Sequence, residues 1–153
     1  MRLPKRTQYA VAALVHLARL PSERYVQSKD LARAEALPGK YVELVLMALR
    51  RADLLVSRAG VGGGYRLSRP PGRIRLADVI EALQQPGVAR AAKSDDDDND
   101  RPRDARSPGR AAVAIIHQRL EDVTTRALGG LTLEQLLDEI PKSTQQPAAM
   151  YYI

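Results

Sequence analysis

A mainly α-helical fold carrying one small β wing is predicted by three features of the sequence. Apolar residues recur at helical spacing through the first 85 residues, two of the helical stretches are separated only by Leu37-Pro38-Gly39, and two short β-type runs enclose the glycine-rich Gly60 to Gly64. Together they read as a winged helix-turn-helix followed by one long helix suited to dimerisation.

Between Thr7 and Leu20, Ala10, Ala13, Leu14 and Leu17 stand at i, i+3, i+4 and i+7, the apolar stripe of a helix that Pro21 stops. Tyr25-Val26 suits a short strand, and Ser28 is placed to cap a second helix, Lys29 to Ala36, with Leu31 inward. A third helix, Lys40 to Ala52, turns Val42, Val45, Leu46 and Leu49 to the core and leaves Lys40, Glu43, Met47, Arg50 and Arg51 largely outside. Leu54 to Arg58 and Tyr65 to Ser68 are the strands of the wing, ended by Pro70-Pro71. A fourth helix, about Ala77 to Gln84, buries Val79, Ile80 and Leu83 and closes at Pro86-Gly87.

Residues 1–85 thus form one winged-helix unit. Residues 86–109 are rich in Asp, Arg, Pro, Gly and Ala, include the run Asp95 to Asp100, and lack any hydrophobic period, so they are expected to be a flexible linker. The dimerisation helices occupy 110–140. Val113, Ile116, Leu120, Val123 and Ala127 form a seam for another helix, and because the first unit already uses its own apolar faces, the partner is expected to be a second copy. Gly129-Gly130 breaks that helix, and Thr132-Leu133-Glu134-Gln135 spells a capping box with Leu131 and Leu136 as its staple. Residues 141–153 form a tail ending in Met150-Tyr151-Tyr152-Ile153.

At 153 residues the chain has room for one modest domain with appendages. No stretch reaches the roughly 18 uninterrupted apolar residues of a membrane span, and the start, Met1 to Arg6, lacks the apolar core of an export signal, so a soluble cytoplasmic protein is expected. With no cysteine, disulfides, thiolate zinc sites, cysteine-ligated iron–sulfur clusters and cysteine nucleophiles are excluded. His16 and His117 have no paired carboxylate or nucleophile pattern beside them in sequence and are assigned packing or surface roles. Neither an enzyme nor a cofactor is expected, since no catalytic constellation stands out. The charge is uneven: residues 1–75 hold fifteen Lys/Arg against five Asp/Glu, whereas 76–153 hold nine against thirteen. A polyanion partner for the first half is the functional reading, a merely solvated basic surface the bland one.

A helix-turn-helix feeds its second helix into the major groove, where side chains near the N-terminal end meet base edges. There Lys40 can donate to guanine, Glu43 can accept from cytosine amino groups, and Tyr41 can reach a phosphate or pack inward. Glycines such as Gly62 and Gly63 let the wing loop approach a surface closely, and Arg58 beside it is a candidate for the minor groove. Lys5, Ser28 and Arg50 join this DNA-binding set. A phosphate-cradling nucleotide loop is the competing reading of Gly60 to Gly64, but no Lys-Ser/Thr pair and helix follow it. The aspartate run lacks the spacing of a calcium loop and is assigned to solvated linker.

Met1-Arg2-Leu3, Gln8-Tyr9-Ala10-Val11, Lys40-Tyr41-Val42-Glu43, Leu49 to Leu54, Gly62 to Leu67, Asp78 to Leu83 and Thr132-Leu133 resemble the Rrf family of bacterial winged-helix regulators. The resemblance implies a dimeric repressor that binds double-stranded DNA, with Tyr9 near a phosphate, Tyr41 and Glu43 on the recognition helix, and the wing loop probing the minor groove. Two departures stand out. Family members often carry Ser-x-Arg-Gly before the wing, whereas Ser57-Arg58-Ala59-Gly60 shifts the arginine by one residue, which in a strand turns it to the other face. Iron–sulfur members also place three cysteines where this chain has aspartates.

A flexible tail ending in two tyrosines and an isoleucine suits insertion into a pocket, the alternative being a tail that folds back on its own dimer or frays. Met150, Tyr151, Tyr152 and Ile153 resemble the ending of the cysteine-free branch of the family, which includes the cysteine metabolism repressor. That resemblance implies cysteine synthase (O-acetylserine sulfhydrylase) as partner, held through the tail. The expected function is therefore repression of sulfur and cysteine genes together with cysteine synthase. Its alternatives are a regulator answering another redox or small-molecule signal, and an interaction module that inhibits cysteine synthase without touching DNA.

Overall fold

The computed structural model describes residues 2–86 and 108–142. Helices α1 (Lys5–Ala18), α2 (Ser28–Ala34) and α3 (Gly39–Arg51) precede the strands β1 (Leu55–Arg58) and β2 (Gly64–Leu67). A 3-10 turn at Pro71–Arg73 leads into α4 (Leu76–Leu83), and α5 (Pro108–Gly129) and α6 (Leu133–Glu139) complete the order.

Helix α3 packs on α1, α2, α4 and β1, so its apolar stripe forms the middle of the core. Leu14, Leu31, Val42, Leu46, Leu49, Leu54, Leu55, Ile74, Val79 and Leu83 are fully buried there. Each such aliphatic side chain contributes roughly 1.5–3 kcal/mol by leaving water. The expected inward faces of α1 and α3 are therefore the observed ones.

Both short-range helix ends depart from the expected limits for a local reason. Ser28, expected as the cap of α2, is its first helical residue: Gln27 is the extended cap, its carbonyl accepting the Asp30 and Leu31 N–H groups, each at 3.1 Å, and no side chain caps the helix. At the other end Ala36 adopts the left-handed region (φ 52°), its N–H reaching the Arg33 carbonyl and that of Leu37 the Ala32 carbonyl at 2.8 Å. This paired closure ends α2 at Ala34, before the predicted Ala36. Helix α3 ends the same way around Asp53 (φ 59°), with Leu54 bonded back to Leu49 at 3.0 Å.

The hairpin pairs Leu55 with Leu67, Val56 with Arg66, Ser57 with Tyr65 and Arg58 with Gly64. Of the predicted Tyr25-Val26 strand only Val26 pairs, through one antiparallel bridge to Tyr65. Ile80, expected in the core, is half-buried instead, because it faces a small cleft between α4 and α5 lined also by Leu3, Thr124 and Thr125.

Helix α5 begins at Pro108, ahead of the expected residue 110, with proline at the helical position that lacks an N–H partner anyway. Its inner side packs on α4. The predicted seam is open to solvent: Val113, Ile116, Leu120 and Val123 are 42–62 % exposed, and Ile115, absent from the predicted seam, is 55 % exposed. Ala127 is exposed as well. The capping box of α6 forms as expected, the Gln135 N–H donating to Thr132 Oγ1 at 3.2 Å and the Thr132 N–H to Gln135 Oε1 at 2.9 Å. Sequence reading missed that Leu133 enters the core of the winged unit, 1 % exposed, while Leu131 and Leu133 bond to Leu76 and Ile74 in a short antiparallel bridge. Most of the predicted linker, including the aspartate run, and the tail Met150 to Ile153 lie outside the described residues.

Candidate nucleic-acid interface

The start of α3 gathers one cluster of predicted residues. Tyr9, half-buried on α1, and Tyr41, half-buried on α3, bring their rings to 6.2 Å at a 36° tilt, and Lys40 Nζ sits 5.1 Å from the centre of the Tyr41 ring. Such a cation over an aromatic face is attracted by the ring quadrupole and is held near the surface without being buried. Lys5, exposed in the first turn of α1, stands four residues before Tyr9 and so on the same side of the helix. Ser28 is half-buried at the start of α2, where its side chain makes no capping bond.

A second group joins α3 to the wing. Tyr65 of β2 donates its hydroxyl hydrogen to Glu43 Oε1 at 3.1 Å. Burial first, then the negative charge and hydrogen bond of Glu43, push the Tyr65 hydroxyl above its ordinary value near 10, against the opposing positive charge of Arg50. Tyr65 therefore stays a neutral donor at physiological pH. Glu43, Arg50 and Tyr65 thus interact where the helix meets the hairpin, with Arg50 exposed at the end of α3.

The wing loop is built on backbone that only glycine accepts easily. Gly60 and Gly62 have φ of 86° and 73°, and a Cβ on Gly63 would lie 2.1 Å from the Arg58 carbonyl oxygen. Val61 stands fully exposed between them. Arg58 closes the loop: its Nη2 donates to the Gly62 carbonyl at 2.8 Å, and its guanidinium lies 4.4 Å from the centre of the Tyr25 ring. Arg66 meets the same ring at 4.9 Å and donates to the Ser22 carbonyl at 3.2 Å.

Tyr25, Tyr65 and Arg66 were not singled out from sequence. Strand alternation held the signal, since Arg58 and Arg66 fall on one face of the paired register and Tyr65 on the other. On its face of the hairpin Arg58 meets the Tyr25 ring. His16 likewise gains a partner invisible in sequence: it is 3 % exposed and its Nδ1 lies 2.7 Å from Glu35 Oε1.

Residues 3–139 match the family model Rrf2, described as an iron-dependent transcriptional regulator. The chain is 36% identical over 85 residues to slr0846 of Synechocystis, provisionally named an HTH-type transcriptional regulator, covering 56% of this chain and 58% of that protein. The chain thus spans little more than half the length of this curated relative. It is 29% identical over 137 residues to the HTH-type transcriptional regulator IscR of Xenorhabdus nematophila, covering 90% of this chain and 79% of that one. Among solved structures it shares the fold of CymR (YrzC), described as the global cysteine regulator of B. subtilis, at a TM-score of 0.62 and 24% identity, over 92% of this chain and 99% of that one. These relatives are named as regulators, not enzymes. The iron in the family description does not fit a thiolate-held cluster here, because the chain contains no cysteine, and among the described residues no three His, Cys, Asp or Glu side chains group together.

Proposed function

The chain belongs to the Rrf2 family of transcriptional regulators, and from that premise we propose that it is a homodimeric repressor of sulfur and cysteine genes that acts with cysteine synthase. The observation that carries the DNA-binding reading is the pairing of two features on one unit: a recognition helix opening with Lys40, Tyr41 and Glu43, and a glycine loop braced by Arg58 alongside it. In this reading Lys40, Tyr9 and Lys5 meet backbone phosphates or guanine acceptors, Glu43 meets a cytosine amino group, and the Gly62-Gly63 loop lies against the minor groove. The open seam of α5 supports pairing with a second copy, which would set two recognition helices on a pseudo-palindrome.

Support for the cysteine branch comes from the absence of cysteine and from the Tyr151-Tyr152-Ile153 segment, whose resemblance implies cysteine synthase as the partner that holds it. Competition with the enzyme's own substrate for that pocket would couple sulfur supply to DNA binding without a cofactor in this chain. The CymR neighbour, described as a cysteine regulator, fits this assignment.

Two measurements test it. Titration of fluorescent genomic fragments across a salt series should give a log-affinity that falls linearly with log salt, flattened by about one contact in Lys40→Ala; salt-independent association rejects the DNA reading. Calorimetry with cysteine synthase should lose all heat when Tyr151 to Ile153 are removed, the dimer remaining folded. Unchanged affinity rejects the tail mechanism and leaves the DNA reading standing.

A further inference from the structure

Tyr65 connects the two halves of the interface, and its geometry gives it a task of its own. Its backbone is fixed from both sides: it pairs with Ser57 in the hairpin, and it exchanges two hydrogen bonds with Val26, at 2.9 and 2.8 Å. The preceding Gly64 is pressed so closely on Val26 that a Cβ there would lie 2.2 Å from the Val26 carbonyl oxygen. From this rigid base the Tyr65 hydroxyl reaches across to Glu43 Oε1.

Glu43 requires such an anchor if it reads DNA. A carboxylate over a polyanion is repelled by phosphates and gains only when an oxygen is aimed at an exocyclic amino group. An unrestrained glutamate has three side-chain torsions and spends most of its time in other directions. With Oε1 held by Tyr65, the second oxygen is confined to the arc left by one hydrogen bond and one helix position.

We propose that Tyr65 is a positioning residue for base discrimination, fixing from the wing the carboxylate that α3 presents to DNA. The proposal rests on the reading of α3 as the recognition helix. It makes the wing part of sequence selection as well as of affinity, because any movement of β2 moves the anchor of Glu43.

The test is a thermodynamic cycle on the full-length protein. Wild type first selects its site from random-sequence duplexes, and affinities are then measured for the wild type, Tyr65→Phe, Glu43→Ala and the double variant on duplexes altered one base pair at a time. Phenylalanine keeps the ring and removes only the donor, so Tyr65→Phe should keep the wild-type circular dichroism, the affinity for a non-specific duplex and its salt dependence. At the base pair whose preference Glu43→Ala removes, Tyr65→Phe should lower discrimination about five- to tenfold. In the double variant it should lower it no further than Glu43→Ala alone. Full preference in Tyr65→Phe, or an equal loss with Glu43 already absent, overturns the proposal while leaving the recognition helix intact. If Glu43→Ala changes no base preference, or the wild type selects no sequence, the underlying reading falls and the proposal with it.

Discussion

At the scale of single residues, two left-handed positions behave oppositely under substitution because their surroundings differ. Ala36 is exposed and closes α2 with a conformation that an L side chain adopts at a cost of about 1–2 kcal/mol. Glycine removes that cost and loses part of it again to a freer unfolded chain, so Ala36→Gly is expected to stabilise by up to about 1 kcal/mol in denaturant titration. Gly64 is the reverse: its φ of 130° and the Val26 backbone 2.2 Å from any Cβ leave no room. Gly64→Ala should destabilise by roughly 2–4 kcal/mol, and because Val26, Tyr65 and Glu43 form one line of contacts, it should also weaken operator binding in whatever fraction remains folded. Wild-type stability in Gly64→Ala would show that the wing base tolerates separation from residue 26.

At the scale of elements, α6 is the surprise. A seven-residue helix with a capping box has little stability of its own, and its place is set by Leu133, buried in the core of the winged unit, and by the Arg75–Thr132 bridge. Leu133→Ala should therefore cost about 2–5 kcal/mol in the melting of the whole winged unit, not of a separate C-terminal part. Two resolved transitions, with the first unit unchanged, would contradict this. Helices α1 and α3 were legible because their apolar stripes recur at helical spacing, and the hairpin because a glycine cluster separates two β-type runs. Leu133 was not, since a single buried leucine in a short helix produces no periodicity. The helix ends were missed by one or two residues because their closure runs through main-chain bonds at Ala36, which does not advertise a left-handed turn, and at Asp53, whose residue type only favours one weakly. Within the candidate interface, residue types at the start of α3 could be read directly. The contacts of Tyr65 with Glu43, of Arg58 with Tyr25 and of His16 with Glu35 join positions 19 to 33 residues apart and appear only once the chain is folded.

At the scale of the whole molecule, the decisive feature is that α5 carries a basic winged unit on one side and an uncovered apolar seam on the other. Val113, Ile115, Ile116, Leu120 and Val123 are each about half exposed, so covering them on two copies gains on the order of 1 kcal/mol per side chain, about 10 kcal/mol in all. Bringing two chains together costs about 4–15 kcal/mol, so a dimer paired through this seam, as proposed, would be sensitive to any one position in it. If the proposed dimer pairs through this seam, Ile116→Glu puts a charge into it from both copies, where little water is left to solvate it. Since Ile116 lies 56 % exposed and contributes nothing to the core of the winged unit, the variant should keep its circular dichroism and melt near the wild type. Sedimentation should nonetheless show a monomer. Affinity for a complete pseudo-palindrome should fall by two or more orders of magnitude, because the second half-site then no longer benefits from the high local concentration that tethering supplies, while affinity for an isolated half-site should stay the same. A variant that sediments as a dimer would move the self-association surface elsewhere, and one that loses half-site affinity as well would mean that α5 shapes the recognition helix rather than merely pairing two of them.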